Sequence, residues 1–149
     1  MRRVIGGAVI AAALVLPSVV AVQPAAAGAV TVPVTVSKSQ GVPGVRIAKK
    51  LSEIYVVERE AFTRRAITVA DNNDEHAYNV IIMNLAQDYS VQLTGVHFFA
   101  TMQFEGVFYG LWIAEGGTFR NKGDGGYNNW AFVGQFTRSG PDGKIVHFH

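Results

Sequence analysis

Val30, Val32, Val34 and Val36 alternate with Ala29, Thr31, Pro33 and Thr35. A period of two with β-branched residues on one face predicts a strand. Pro33 has no N–H to give to a ladder, so this strand belongs at an edge or at the start of a sheet. Ser39–Gly44 is turn chemistry. Over 46–65 the period changes. Ile47, Leu51, Ile54, Tyr55, Ala61 and Phe62 form one stripe, while Arg46, Lys49, Lys50, Glu53, Arg59, Glu60 and Arg64 lie largely off it. This predicts one amphipathic helix. Glu58 interrupts its stripe, and the β-branched pair Val56-Val57 leaves a short strand over 54–58 as the rival.

From Ala66 the pattern reads as β. Ile67–Ala70 leads into the polar run Asp71–His76, and Ala77–Leu85 follows as a near-continuous apolar run. The expectation is a hairpin whose second strand is buried on both faces. After a turn at Gln87–Ser90, Val96–Phe104 alternates cleanly, Glu105-Gly106 interrupts, and Val107–Ile113 resumes, which predicts a tight hairpin ended by Glu115-Gly116-Gly117. A glycine-rich polar loop spans Asn121–Asn129. A last hairpin joins Trp130–Thr137 to Ile145–His149 through the turn residues 139–143. The sum is an α+β, β-rich fold: one N-terminal helix packed on or capping a curved antiparallel sheet, or a small barrel, of about six to seven strands.

Composition adds the compartment. Arg2-Arg3, the uncharged run Val4–Val22 and Ala25-Ala26-Ala27 have the three parts of a secretory signal. The expected organisation is a signal peptide over 1–27 and a single globular β-rich domain over 28–149, secreted and without a membrane anchor after cleavage. The chain carries 13 basic and 11 acidic residues. Removing residues 1–27 takes away two arginines and no acid, so the remainder is neutral and its composition favours no anionic partner. The six basic residues of the helix region read as a solvated face, and with export they argue against a nucleic-acid partner. Cysteine is absent. That excludes a disulfide scaffold, a thiolate metal site and a thiol nucleophile, and it leans towards a bacterial secreted protein.

No phosphate loop, His-Glu-x-x-His or Gly-x-Ser-x-Gly pattern occurs. His147 and His149 share a strand face without an evident third ligand. Asp71–Glu75 concentrates oxygen ligands but departs from the EF-hand pattern, with His76 and Ile82 where glycine and glutamate are needed. Neither metal nor cofactor is expected. The most distinctive stretch runs from Trp112 to Trp130 and holds both tryptophans. Glu115, Phe119, Arg120, Asn121, Asp124, Tyr127, Asn128 and Asn129 lie between them, with Gly123, Gly125 and Gly126. Aromatic faces for stacking beside directional amides and charges suit a ligand-binding loop on a sheet. Both tryptophans also lie on alternating strands, where a place in the core is an equal reading.

Gln40-Gly41-Val42-Pro43-Gly44 resembles the Gln-x-Val-x-Gly loop of cystatin-type cysteine protease inhibitors, and strand, helix and antiparallel sheet are similar to that fold. In that family the motif lies in a hairpin after the helix, whereas here it precedes it. Three functions stay open. The first is a secreted non-catalytic protein binding a glycan or an extracellular protein through the 112–130 stretch. The second is a secreted inhibitor of an extracellular enzyme, as the resemblance implies. The third is a small enzyme using Glu115, Asp124 or His97 for acid–base work inside a curved sheet.

Overall fold

The computed structural model describes residues 20–21 and 31–149. Apart from Val20–Ala21, the expected signal segment 1–27 lies outside the described residues. The strands are β1 (Val20–Ala21), β2 (Val34–Ser39), β3 (Asn79–Asn84), β4 (Tyr89–Phe104), β5 (Val107–Asn121), β6 (Trp130–Val133), β7 (Phe136–Ser139) and β8 (Ile145–Phe148). Two helices, α1 (Gly44–Ser52) and α2 (Arg59–Asn73), sit between β2 and β3. All the strand pairs are antiparallel, and the molecule is mostly sheet.

The single helix expected over 46–65 is two helices. α1 buries Ile47, Ala48 and Leu51 and ends with Lys49 and Lys50 in its last turn, where cations favour the helix dipole. The stripe then fails: Ile54 tucks into the core, but Tyr55 and Val57 point to solvent. The linker carries the β-branched pair Val56-Val57, and Glu58 is extended (φ −126°, ψ 145°) before α2 starts. α2 also absorbs Ile67–Ala70, expected as a strand, and Asp71–Asn73, expected in a hairpin turn. Its buried positions are Phe62, Thr63, Ala66 and Ala70, a helical spacing that packs on the sheet and overrides the strand preference of Ile67-Thr68-Val69. Glu75 and His76, both in the left-handed region (φ 64° and 59°), turn the chain away from the helix.

All six residues of β3 are buried, in keeping with its apolar run. Its neighbours are β5 and β6 rather than residues 67–70. The β4–β5 hairpin forms as the alternation predicts. Its two-residue turn, Glu105-Gly106, has positive φ at both positions (48° and 74°), as a right-twisted hairpin requires. Gly116-Gly117 does not end β5. Gly117 stands at φ 103°, and a Cβ there would meet the Gln92 carbonyl oxygen at 2.3 Å, so only glycine lets the strand bend and run on to Asn121.

At this bend the sheet forks. One edge of β5 pairs with β4 along its whole length; the other pairs with β3 over Tyr109–Ala114 and then with β8 over Gly117–Arg120. β6 pairs with β3 and β7 with β8, so the sheet is not closed and the barrel alternative does not form. Each face has its own core. Under the helices lie Phe62, Phe98, Met102, Tyr109, Leu111 and Ile113, with Phe62 stacked on Phe104 at 4.5 Å. On the far face lie Ile81, Met83, Trp112, Phe119, Trp130, Val146 and Phe148.

Candidate functional site

The 121–129 loop is held by its own polar side chains. Asn121 is buried; its Oδ1 accepts from the Gly123 N–H (2.9 Å) and its Nδ2 donates to the Asp124 carbonyl (2.8 Å). Asp124 accepts from the Gly126 N–H (3.1 Å) and from Asn129 Nδ2 (3.1 Å). Asn129, also buried, accepts at Oδ1 from Asn84 Nδ2 (2.9 Å) and Arg59 Nη2 (3.0 Å). Side chains bonding to nearby backbone in this way define Asx-type turns.

Arg59, at the start of α2, clamps the loop to the helix layer. Its Nε donates to Tyr109 Oη (2.8 Å), and Nη2 also reaches the Asn128 carbonyl (3.1 Å). Tyr109 Oη in turn donates to that carbonyl (2.7 Å). Burial pushes the Tyr109 hydroxyl above its usual range, partly offset by Arg59, so it stays a donor. Thr63 Oγ1 donates to the Tyr127 carbonyl. Arg59→Ala is expected to lower stability by about 1.5–3 kcal/mol, the range for charge-assisted hydrogen bonds. It should also open residues 122–129 to proteolysis; a melting curve and a limited digest check both, and an unchanged digest would show that the clamp is not needed.

So fastened, the loop helps to form an aromatic cradle with β6 and β7. The cavity, about 270 Å³, is lined by Gly125, Tyr127, Trp130, Ala131, Phe132, Phe136 and Arg138. Trp130 is almost buried, with Nε1 donating to the Gly125 carbonyl (2.8 Å), while Tyr127 and Phe136 are 51% and 39% exposed. Phe132 meets Trp130 at 4.8 Å and stands edge-on to Phe136 at 4.9 Å. The Arg138 guanidinium lies 5.3 Å from the Phe132 ring centre, and that of Arg64 lies 4.6 Å from Tyr127.

Of the residues singled out in the sequence, Tyr127 and Trp130 meet in this cradle. Trp112 and Phe119 are core residues, in contact with each other and with Tyr89. Asn121 and Asn129 are internal fasteners, as is the Asp124 side chain. Asn128 is exposed but contributes its carbonyl to the clamp. Arg120 lies in a shallow depression with Lys122 and Asp142, and Glu115 lies elsewhere on the surface. Phe132, Phe136 and Arg138 were not singled out; the signal was there, since Phe136 and Arg138 are two apart and share one face of a strand.

Glu115 belongs to a polar cleft of about 400 Å³ with Asp71, His76, Asn79, Gln135 and His149. His97 bonds Glu115 Oε1 through Nε2 (2.8 Å) and the Gln40 carbonyl through Nδ1 (2.9 Å), with Tyr78 stacked on its ring at 4.2 Å. Asp124 is spent on the loop, so of the three groups considered for acid–base work only His97 and Glu115 come together. The space between helices and sheet, where such a site was expected, is filled by the core under α1 and α2. The Gln40–Gly44 segment is tied to β4, with the Gln40 N–H donating to the His97 carbonyl (2.8 Å). The rings of His147 and His149 face the hydroxyls of Thr118, Ser139 and Thr137. Among the described residues no group of three or more His, Asp or Glu side chains could hold a metal ion, and no helix is long and apolar enough to cross a membrane.

The chain resembles a stress response protein. It is 43% identical over 91 residues to stress response protein YvgO of Bacillus subtilis (strain 168). The match covers 61% of this chain and 55% of that protein, so the chain spans about half the length of the curated relative it matches. No protein-family model matches the chain, and no solved structure matches it.

Proposed function

We propose that the chain is a secreted, non-catalytic binding protein that holds a glycan on the aromatic cradle. The observation that carries this reading is that two exposed aromatic residues, Tyr127 of the fastened loop and Phe136 of β7, line one cavity with Trp130 and Phe132 of β6. Pyranose C–H faces stack on aromatic rings, and a rigid cradle keeps the ordering cost of binding small. The relative's description as a stress response protein names no ligand. Among the alternatives, a protein partner would use the same rings, whereas inhibition through Gln40–Gly44 would need that tethered segment to project.

The test is glycan-array and polysaccharide-retention binding of the full chain beside Tyr127→Ala and Phe136→Ala. Each truncation removes an exposed ring worth about 1 kcal/mol or more of stacking, so a loss of about fivefold to tenfold per variant is expected, with melting temperatures close to wild type. Retention on no glycan, or binding that both variants keep, overturns the reading.

A further inference from the structure

The cradle holds one charged side chain, and its chemistry narrows the ligand. Arg138 Nε is committed to the Gly143 carbonyl at 2.7 Å. Its guanidinium lies over Phe132 at 5.3 Å and over Trp130 at 6.0 Å. Among the described residues no carboxylate lies within salt-bridge distance of it, and its two terminal nitrogens make no hydrogen bond there. Other cations near the cradle are already engaged: Arg64 with Glu60 at 3.3 Å and Lys144 Nζ with the Gly123 carbonyl at 2.8 Å. The cradle lining contains no acidic residue. A guanidinium fixed at Nε and backed by two rings presents its Nη1–Nη2 edge in one orientation, and that planar fork matches a carboxylate two bonds at a time.

Resting on the glycan-binding reading, we infer that the cradle selects carboxylated sugars, with a uronic-acid ring stacked on its exposed aromatic side chains and its carboxylate gripped by Arg138. The remainder of the chain after residue 27 is charge-neutral, so the preference is a property of this one side chain and not of a general basic surface. It must therefore follow Arg138 when that residue is changed.

The experiment is calorimetric titration of the full chain with three sets of probes. The first is acidic oligosaccharides (oligogalacturonate and oligoglucuronate), the second their methyl esters, and the third the neutral galactose and glucose oligomers of the same linkage. The expected result is at least tenfold tighter binding of an acid than of its ester. Arg138→Gln should abolish that preference, bringing the acid down to the affinity of its ester, with the melting temperature close to wild type. Arg138→Lys, a point charge without the fork, should restore only part of it. Equal affinity for acid and ester, with binding still lost in Tyr127→Ala, overturns the acid selectivity and leaves the cradle reading standing. An acid preference that survives Arg138→Gln also overturns it. Binding of none of the probes overturns the selectivity, and binding insensitive to Tyr127→Ala overturns the cradle reading itself.

Discussion

Trp112→Ala is expected to destabilise the protein by about 3–5 kcal/mol, the cost of truncating a buried large aromatic. Trp112 is 8% exposed and packs against Phe99 (4.8 Å), Phe119 (5.6 Å) and Tyr89 (6.1 Å). The chain makes room for it: a Cβ on Gly110 would come within 2.7 Å of the indole, so the neighbouring position on β5 is left without a side chain. The hole left by alanine is lined by rigid rings that cannot close over it. For a chain of this length the drop in melting temperature is on the order of 10–20 °C, and thermal or denaturant unfolding followed by circular dichroism measures it. Any loss of ligand binding in this variant follows from unfolding, in contrast to Tyr127→Ala, which leaves the core intact. A melting temperature within a degree or two of wild type would refute the core role of the ring.

Asp74 should act against stability at neutral pH. It ends α2, is 5% exposed, and neither carboxylate oxygen has a hydrogen-bond partner. Burial, and then the neighbouring Asp71 carboxylate, push its pKa from the ordinary 3.8 up to about 6. The backbone N–H groups of His76 and Ala77 pull the other way without closing a bond to it. The negative end of the helix dipole adds to the penalty. Between pH 4 and 6 the folded protein binds this proton and the unfolded chain does not, so stability falls as pH rises through that window. Above it the cost has reached about 3 kcal/mol. Asp74→Asn is therefore expected to gain about 1–3 kcal/mol at pH 7.5, since the buried amide recovers only part of the cost, and close to nothing at pH 3.5. Denaturant titrations at the two pH values check it; a variant less stable at pH 7.5 would mean that the carboxylate has a stabilising partner.

The parts of the fold that could be read from the chain are those decided locally. Alternation from Val96 to Ile113 around Glu105-Gly106 specifies a hairpin because the turn and the two faces agree. The unbroken apolar run of β3 marks a strand covered on both sides. α2 was decided at a distance. Ile67-Thr68-Val69 prefers a strand by itself, and what makes it helical is the fit of Phe62, Ala66 and Ala70 onto Phe104 and Tyr109, some forty residues further on.

The candidate site divides in the same way. An exposed Tyr127 is expected of a Gly- and Asn-rich loop. Whether an asparagine faces water or fastens a loop depends on where its amide finds partners, and Asn121 and Asn129 find them in Asp124, Asn84 and Arg59. Period-two spacing places Trp112 and Trp130 each on one face of its own strand, but it cannot say which face is wet when both sides of the sheet are covered.

The fork at β5 makes the two cores one cooperative unit. Tyr109, Leu111 and Ile113 point into the core under the helices, while Trp112 and Phe119 of the same strand point into the other. Neither core can open without pulling on a ladder that the other needs, so the molecule has no natural seam along which to come apart. In folding, the β4–β5 hairpin closes through a two-residue turn at small loop-closure cost. Pairing β5 with β3 and β8 joins segments about 30 residues apart in the chain and carries the larger loop-closure cost. A protein without disulfides thus keeps its faces together by sharing a backbone, and the strand that a cross-link would have stapled is already inside both halves.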